Sequence, residues 1–168
     1  MVLQLNVSRG GIPKLPVERA RVTASGLEGD GYAHPQIHGG PRQAVLLIAA
    51  EALAELTALG FPVFPGALGE NITTRGLDCR GWRLGQRWRI GADVEIEFTK
   101  VRVPCKTIRI YGAGIHTAIY DEQVKAGNAA SPRWGLSGMY ASVTKPGVIQ
   151  TGDPVVVKPD PAESAWSA

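Results

Sequence analysis

Trp82-Arg83-Leu84-Gly85-Gln86-Arg87-Trp88-Arg89-Ile90-Gly91-Ala92-Asp93-Val94-Glu95-Ile96-Glu97-Phe98-Thr99-Lys100-Val101 reads as two strands, Trp82 to Ile90 and Ala92 to Val101, folded back on each other at Gly91. In the second strand Val94, Ile96 and Phe98 face one way and Glu95 and Glu97 the other. That period of two belongs to a sheet with one buried face. The strand then runs into Arg102-Val103-Pro104-Cys105-Lys106. Proline has no backbone N–H, so sheet pairing is expected to stop there. A thiol is thereby set at a strand end with Lys100, Arg102, Lys106 and Arg109 around it in sequence. Positive neighbours favour the thiolate, the form that attacks electrophiles and binds metals.

Outward from this hairpin the same texture continues. Val2 to Ser8 alternates as an edge strand would, and Pro16 to Thr23 holds a second strand. Ala44 to Ile48 is a continuous apolar run, a buried strand or the start of a helix. Ala50 to Leu59 follows as a helix with Leu53, Leu56 and Leu59 on one face, and Gly60 ends it. Ile72 to Leu77 holds a short strand, and Ile115 to Lys125 is expected to be one helix. Met139 to Val143 and Val155 to Lys158 close the domain as strands. Short strands, 21 glycines and 12 prolines predict a mainly β fold, a barrel of mostly antiparallel strands with a few short helices. No βαβ alternation is read, and neither GxGxxG nor GxxxxGK[ST] occurs, which argues against a dinucleotide or P-loop fold.

A chain of 168 residues makes one domain, residues 1–168, with residues 159–168 a frayed tail. The charge of +3 comes with no long Lys/Arg run, so neither nucleic acid nor a membrane surface is an expected partner. Two cysteines are too few for a disulfide scaffold or a CxxC zinc site. With no signal-like start, the expected location is the cytoplasm, with both thiols reduced. Cys79, in Asp78-Cys79-Arg80-Gly81, lacks the proline punctuation and is read as structural.

Two further stretches can present backbone N–H groups to a ligand. Gly26-Leu27-Glu28-Gly29-Asp30, followed by His38-Gly39-Gly40-Pro41, has the paired glycines of an anion-binding turn, with His38 able to add a proton or a hydrogen bond. Pro65-Gly66-Ala67-Leu68-Gly69-Glu70-Asn71-Ile72 is a rigid glycine loop ending on polar side chains. His34 and His116 have no metal-ligand spacing with His38.

In this order, with Arg102-Val103-Pro104-Cys105 and Gly152-Asp153 after them, these motifs resemble the MOSC domain, found at the C-terminus of molybdenum-cofactor sulfurase and in stand-alone bacterial proteins. The likeness runs from about residue 26 to 157. It implies a MOSC-type β-barrel and molybdenum cofactor (molybdopterin) as the ligand, with Cys105 on the metal. It implies a groove for the pterin and its phosphate along Gly39, Gly40, Gly69, Glu70, Asn71, Arg102, Lys106 and Arg133, with His38 and Asp30 as proton relays beside Cys105. Pyridoxal phosphate binding is also associated with the family. Relatives of this type suggest an oxidoreductase that reduces small N-hydroxylated compounds. With no room for a flavin and too few cysteines for an iron–sulfur cluster, its electrons would come from an external donor protein. The alternative is a sulfur carrier, with a persulfide on Cys105 and no turnover of its own.

Overall fold

The computed structural model describes residues 1–31 and 39–159. Among the described residues eleven strands form two sheets. In chain order they are β1 (Val2–Val7), β2 (Leu15–Val17), β3 (Arg19–Thr23), β4 (Gly26–Leu27), β5 (Val45–Ala49), β6 (Ile72–Thr74), β7 (Arg87–Ile90), β8 (Val94–Val101), β9 (Met139–Lys145), β10 (Gly147–Gln150) and β11 (Val155–Val157). The large sheet has the order β11-β7-β8-β9-β5-β6-β1-β2, and the small one β10-β3-β4.

The hairpin at Gly91 forms as its sequence predicts, with Trp88 opposite Ile96 and Ile90 opposite Val94. Gly91 takes φ 62°, a left-handed turn conformation. Its first strand is shorter than expected: Trp82 to Gln86 forms no strand, because Trp82 closes a 3-10 turn and Gly85 and Gln86 bond to Phe98 across the hairpin. Val94, Ile96 and Phe98 are buried, and Phe98 packs between Trp82 and Trp88 with ring centroids 5.1 and 5.7 Å apart.

β5 and β6 run parallel as neighbours, joined by helix α1 (Ala50–Ala58) and the loop that follows it. That is one strand–helix–strand crossover where none was read from the sequence. Every residue of β5 is buried, as suits a strand covered on both faces. The segment 115–125 is two helices, not one: α2 (Ile115–Ile119) and α3 (Glu122–Lys125). Asp121 causes the break by capping α3, its side chain accepting a bond from Val124 N at 2.8 Å. β4 and β10, two and four residues long, carry too little pattern to be detected in the sequence.

The strand ladders trace no closed ring among the described residues, where a barrel was expected; the large sheet is mixed and has β11 and β2 at its edges. Two backbone bonds nevertheless link its far sides: Val2 N donates to Asp153 O at 2.8 Å and Gly152 N to Val2 O at 2.9 Å. No helix among the described residues is long and apolar enough to cross a membrane.

Candidate functional site around Cys105

β8 ends where the sequence places its end. Arg102 still donates its backbone N–H to Gly138 O at 2.9 Å, and no ladder bond follows. Cys105 lies three residues on, half-buried, at the head of the 3-10 helix Lys106–Tyr111. Burial works against its thiolate. The Thr107 side chain, the Arg102 charge and the backbone N–H groups of Thr107 and Ile108 outweigh it, and hold the thiol below the ordinary cysteine value. Arg102 is therefore the cation that matters here. Lys100, Lys106 and Arg109 stand exposed, whereas Arg102 is buried.

Cys79 is the opposite case. It is buried, and burial pushes its thiol up to about 12. Iodoacetamide at neutral pH is thus expected to label Cys105 and spare Cys79 in the native protein, as read by peptide mass spectrometry. Equal labelling of the two would refute the assignment of ionisation.

Arg102 joins the cysteine segment to the glycine loop. Its Nη2 donates to Leu68 O at 2.8 Å, and its own carbonyl accepts from Ser137 Oγ at 2.7 Å. The residue is 5% exposed, yet Nη1 has no hydrogen-bond partner. The loop from Pro65 to Ile72 is joined in turn to Asp30. Asn71 Nδ2 donates to Asp30 Oδ2 at 2.7 Å, while Asn71 Oδ1 accepts from Leu46 N at 3.1 Å. Asp30 also accepts from Ser8 N at 2.9 Å and pairs with Lys14, whose side chain is buried. All three motifs thus converge through Asp30, Asn71, Leu68 and Arg102.

Glu70 sits inside this network, fully buried. Its Oε1 accepts from Gly66 N at 2.6 Å and Thr73 Oγ1 at 2.9 Å; Oε2 has no partner. Burial raises its carboxyl pKa above the usual value near 4.5, against the pull of those bonds and of Arg102. A raised folded value stabilises the protein below the unfolded pKa, and the contribution is lost as pH rises through the folded one. Glu70→Gln keeps the acceptor and removes the titration. Its melting temperature is expected to gain on the wild type steadily as pH rises above about 4.5. Parallel melting curves across that range would show that Glu70 is ionised throughout.

The remaining expected residues fall in different places. Gly39 and Gly40 have φ 93° and 86° and lead into the 3-10 turn Pro41–Gln43. This turn is tied to β8 by the hydroxyl of Thr99, which donates to Arg42 O. Gly69 has φ 89°, with room for no more than a tight Cβ against Ile12. Arg133 is engaged 3.1 Å from Asp121 at the start of α3. Lys106 is exposed. His38 and His34 lie outside the described residues. His116, which spacing did not single out, has Nε2 2.7 Å from Cys105 O and so ties α2 to the cysteine. Lys14 and Tyr140 were also missed; each reaches the site through long-range packing that leaves no local pattern. Among the described residues no group of three or more His, Cys, Asp or Glu could hold a metal ion, so a metal at Cys105 must bring other ligands with it.

The family model for the MOSC domain matches residues 34–156. The chain belongs to the MOSC domain family. Molybdenum cofactor binding is the property for which that family is known. The uncharacterized protein YflK of Bacillus subtilis is 30% identical over 145 residues, 84% of this chain. The present MOSC chain spans 60% of that relative's length. Crystal structures of similar fold include YiiM of Geobacillus stearothermophilus, with a TM-score of 0.68 at 22% identity, covering 94% of this chain and 74% of that one. YuaD of Bacillus subtilis has a TM-score of 0.67 at 18% identity, covering 92% of each chain. At these identities the structures speak for the MOSC fold alone.

Proposed function

We propose that this protein binds molybdenum cofactor through Cys105 and reduces small N-hydroxylated compounds with electrons from an external carrier protein. The observation that carries the reading is a thiolate-favouring, half-exposed Cys105 beside a buried Arg102 whose Nη1 is unpartnered. A soft thiolate suits a metal already held by sulfur, and an orphaned guanidinium donor suits an oxygen-rich ligand. The residues present fit the group on both counts.

When bound, the cofactor supplies the redox-active metal for removing oxygen from an N–O bond. Cys105 holds its sulfur ready as a ligand. His116 fixes the backbone carbonyl of Cys105, and Arg102 fixes the loop across from it. Gly39 and Gly40 offer a backbone turn to the cofactor's phosphate. Asp30 acts as a brace, since both its oxygens are engaged and its side chain is 2% exposed. Glu70, whose carboxyl pKa is raised by burial, lies within electrostatic reach of Arg102. Asn71 sets the spacing between the first two motifs.

The test is elemental and pterin analysis of protein purified from a host that makes the cofactor. Stoichiometric molybdenum is expected. A cyanide-labile sulfur on Cys105 with no metal would replace this reading with that of a persulfide carrier.

A further inference from the structure

The 3-10 helix Lys106–Tyr111 begins directly after Cys105. With three residues per turn, side chains three apart share a ridge. Ile108 and Tyr111 form the ridge that packs: Ile108 is buried, and Tyr111 meets the Phe64 ring edge-on with centroids 6.1 Å apart. Lys106 and Arg109 form an exposed cationic ridge, and Thr107 and Ile110 an exposed third one. Ile110 is 66% exposed, Val103 54% and Phe64 47%. Apolar side chains exposed singly need no explanation. These three are gathered at one place. Val103 precedes the cysteine by two residues, Ile110 belongs to its helix, and Phe64 is joined to that helix through Tyr111. Phe61 closes the same junction, since a Cβ on Gly112 would come within 2.8 Å of its Cδ1.

The charge here is of one sign. Residues 98–120 contain no Asp or Glu, and neither do residues 56–69, which carry Phe61 and Phe64. The next acids along the chain, Asp121 and Glu122, are paired with Arg133 and Lys125. Among the described residues eight ion pairs form, and none includes Lys106 or Arg109. An apolar centre with an unneutralised cationic border is the make-up of a protein contact with an acidic partner.

We infer that Val103, Ile110 and Phe64, bordered by Lys106 and Arg109, form the docking surface for the electron donor, and that this donor is a small one-electron carrier protein with an acidic face around its redox group. The inference rests on the function proposed above. Removing oxygen from an N–OH group takes two electrons and two protons and releases water, so a one-electron carrier docks and leaves twice in each turnover. A small contact suits quick release, and opposite charge speeds each encounter. At about 2.0 Å of rise per residue, Arg109 lies roughly 8 Å along the helix axis from Cys105. A carrier seated on this helix therefore brings its redox group close to the sulfur.

The probes are flavodoxin and plant-type ferredoxin, both acidic one-electron carriers, with basic cytochrome c as control. Binding to the full chain from a host strain that makes no cofactor is read by titration calorimetry at low and at high salt. At least one acidic carrier is expected to bind at low salt and to be released at high salt, while cytochrome c does not bind. Arg109→Glu and Ile110→Asp should each weaken that binding about tenfold. Both side chains are exposed, so the variants should melt with the wild type. Absence of binding by both carriers, or undiminished binding by a folded Arg109→Glu protein, overturns the surface. So does tighter binding of a single-stranded oligonucleotide through the same two residues, which would make the ridge a nucleic-acid contact. Loss of molybdenum from Arg109→Glu made in a cofactor-competent host also overturns it, by assigning that cation to the cofactor. Wild-type protein that carries molybdenum while neither carrier binds keeps its proposed cofactor and loses this surface. Carrier binding through Arg109 in a protein that never acquires molybdenum does the reverse.

Discussion

Cys105→Ser is expected to strip the protein of molybdenum, to below about a tenth of the wild-type content, while leaving its melting temperature within a few degrees. The substitution exchanges one chalcogen for another at a half-buried position, so little packing is lost. What goes is a sulfur whose ionisation the site favours. A serine hydroxyl stays protonated where Arg102 and the N–H groups of Thr107 and Ile108 favour a thiolate, and it is a hard ligand where a soft one is needed. Metal analysis beside a thermal melt separates the two effects. Full metal content in a folded Cys105→Ser protein would end the molybdenum-ligand proposal.

Gly66→Ala is expected to be strongly destabilising. Gly66 has φ 92°, which costs an L-residue about 1–2 kcal/mol. Its Cβ would also stand 2.3 Å from Lys14 O and 3.2 Å from Asn6 Oδ1. The obstacle is backbone, and it is pinned: Lys14 N donates to Gly66 O at 2.9 Å, so the two segments cannot part without losing that bond. The shift would also pull Gly66 N from Glu70 Oε1. A loss of roughly 3–5 kcal/mol follows, or about 10 °C in melting temperature. Leu68 lies two residues on and holds Arg102, so labelling of Cys105 should change as well. A variant that melts with the wild type would mean that the Lys14 segment moves aside freely.

Much of the strand pattern was legible because it is local. The hairpin around Gly91, the helix ended by Gly60 and the strand stop before Pro104 each depend on residues within one turn or one pleat of each other. The glycine loops were legible as motifs, and the structure links them through Asp30, Asn71 and Leu68. Direction was not legible. Four cations close to Cys105 in sequence looked like a ring, yet Arg102 alone turns inward to stabilise it. Nor was distance: Lys14 meets Asp30 across three strands, β2 to β4, and Tyr140 reaches Arg102 from β9. The break at Asp121 could have been found, since an Asp three residues before an apolar helical position is a capping signal.

The bonds between Val2 and residues 152–153 bear on how the chain folds. β1 finds one neighbour, β2, close by in sequence, but its other partners lie near residue 72 and again near residue 153. Part of its hydrogen-bonding edge stays uncovered until those distant segments arrive. Pairings of such long sequence separation slow folding and prolong the exposure of open strand edges.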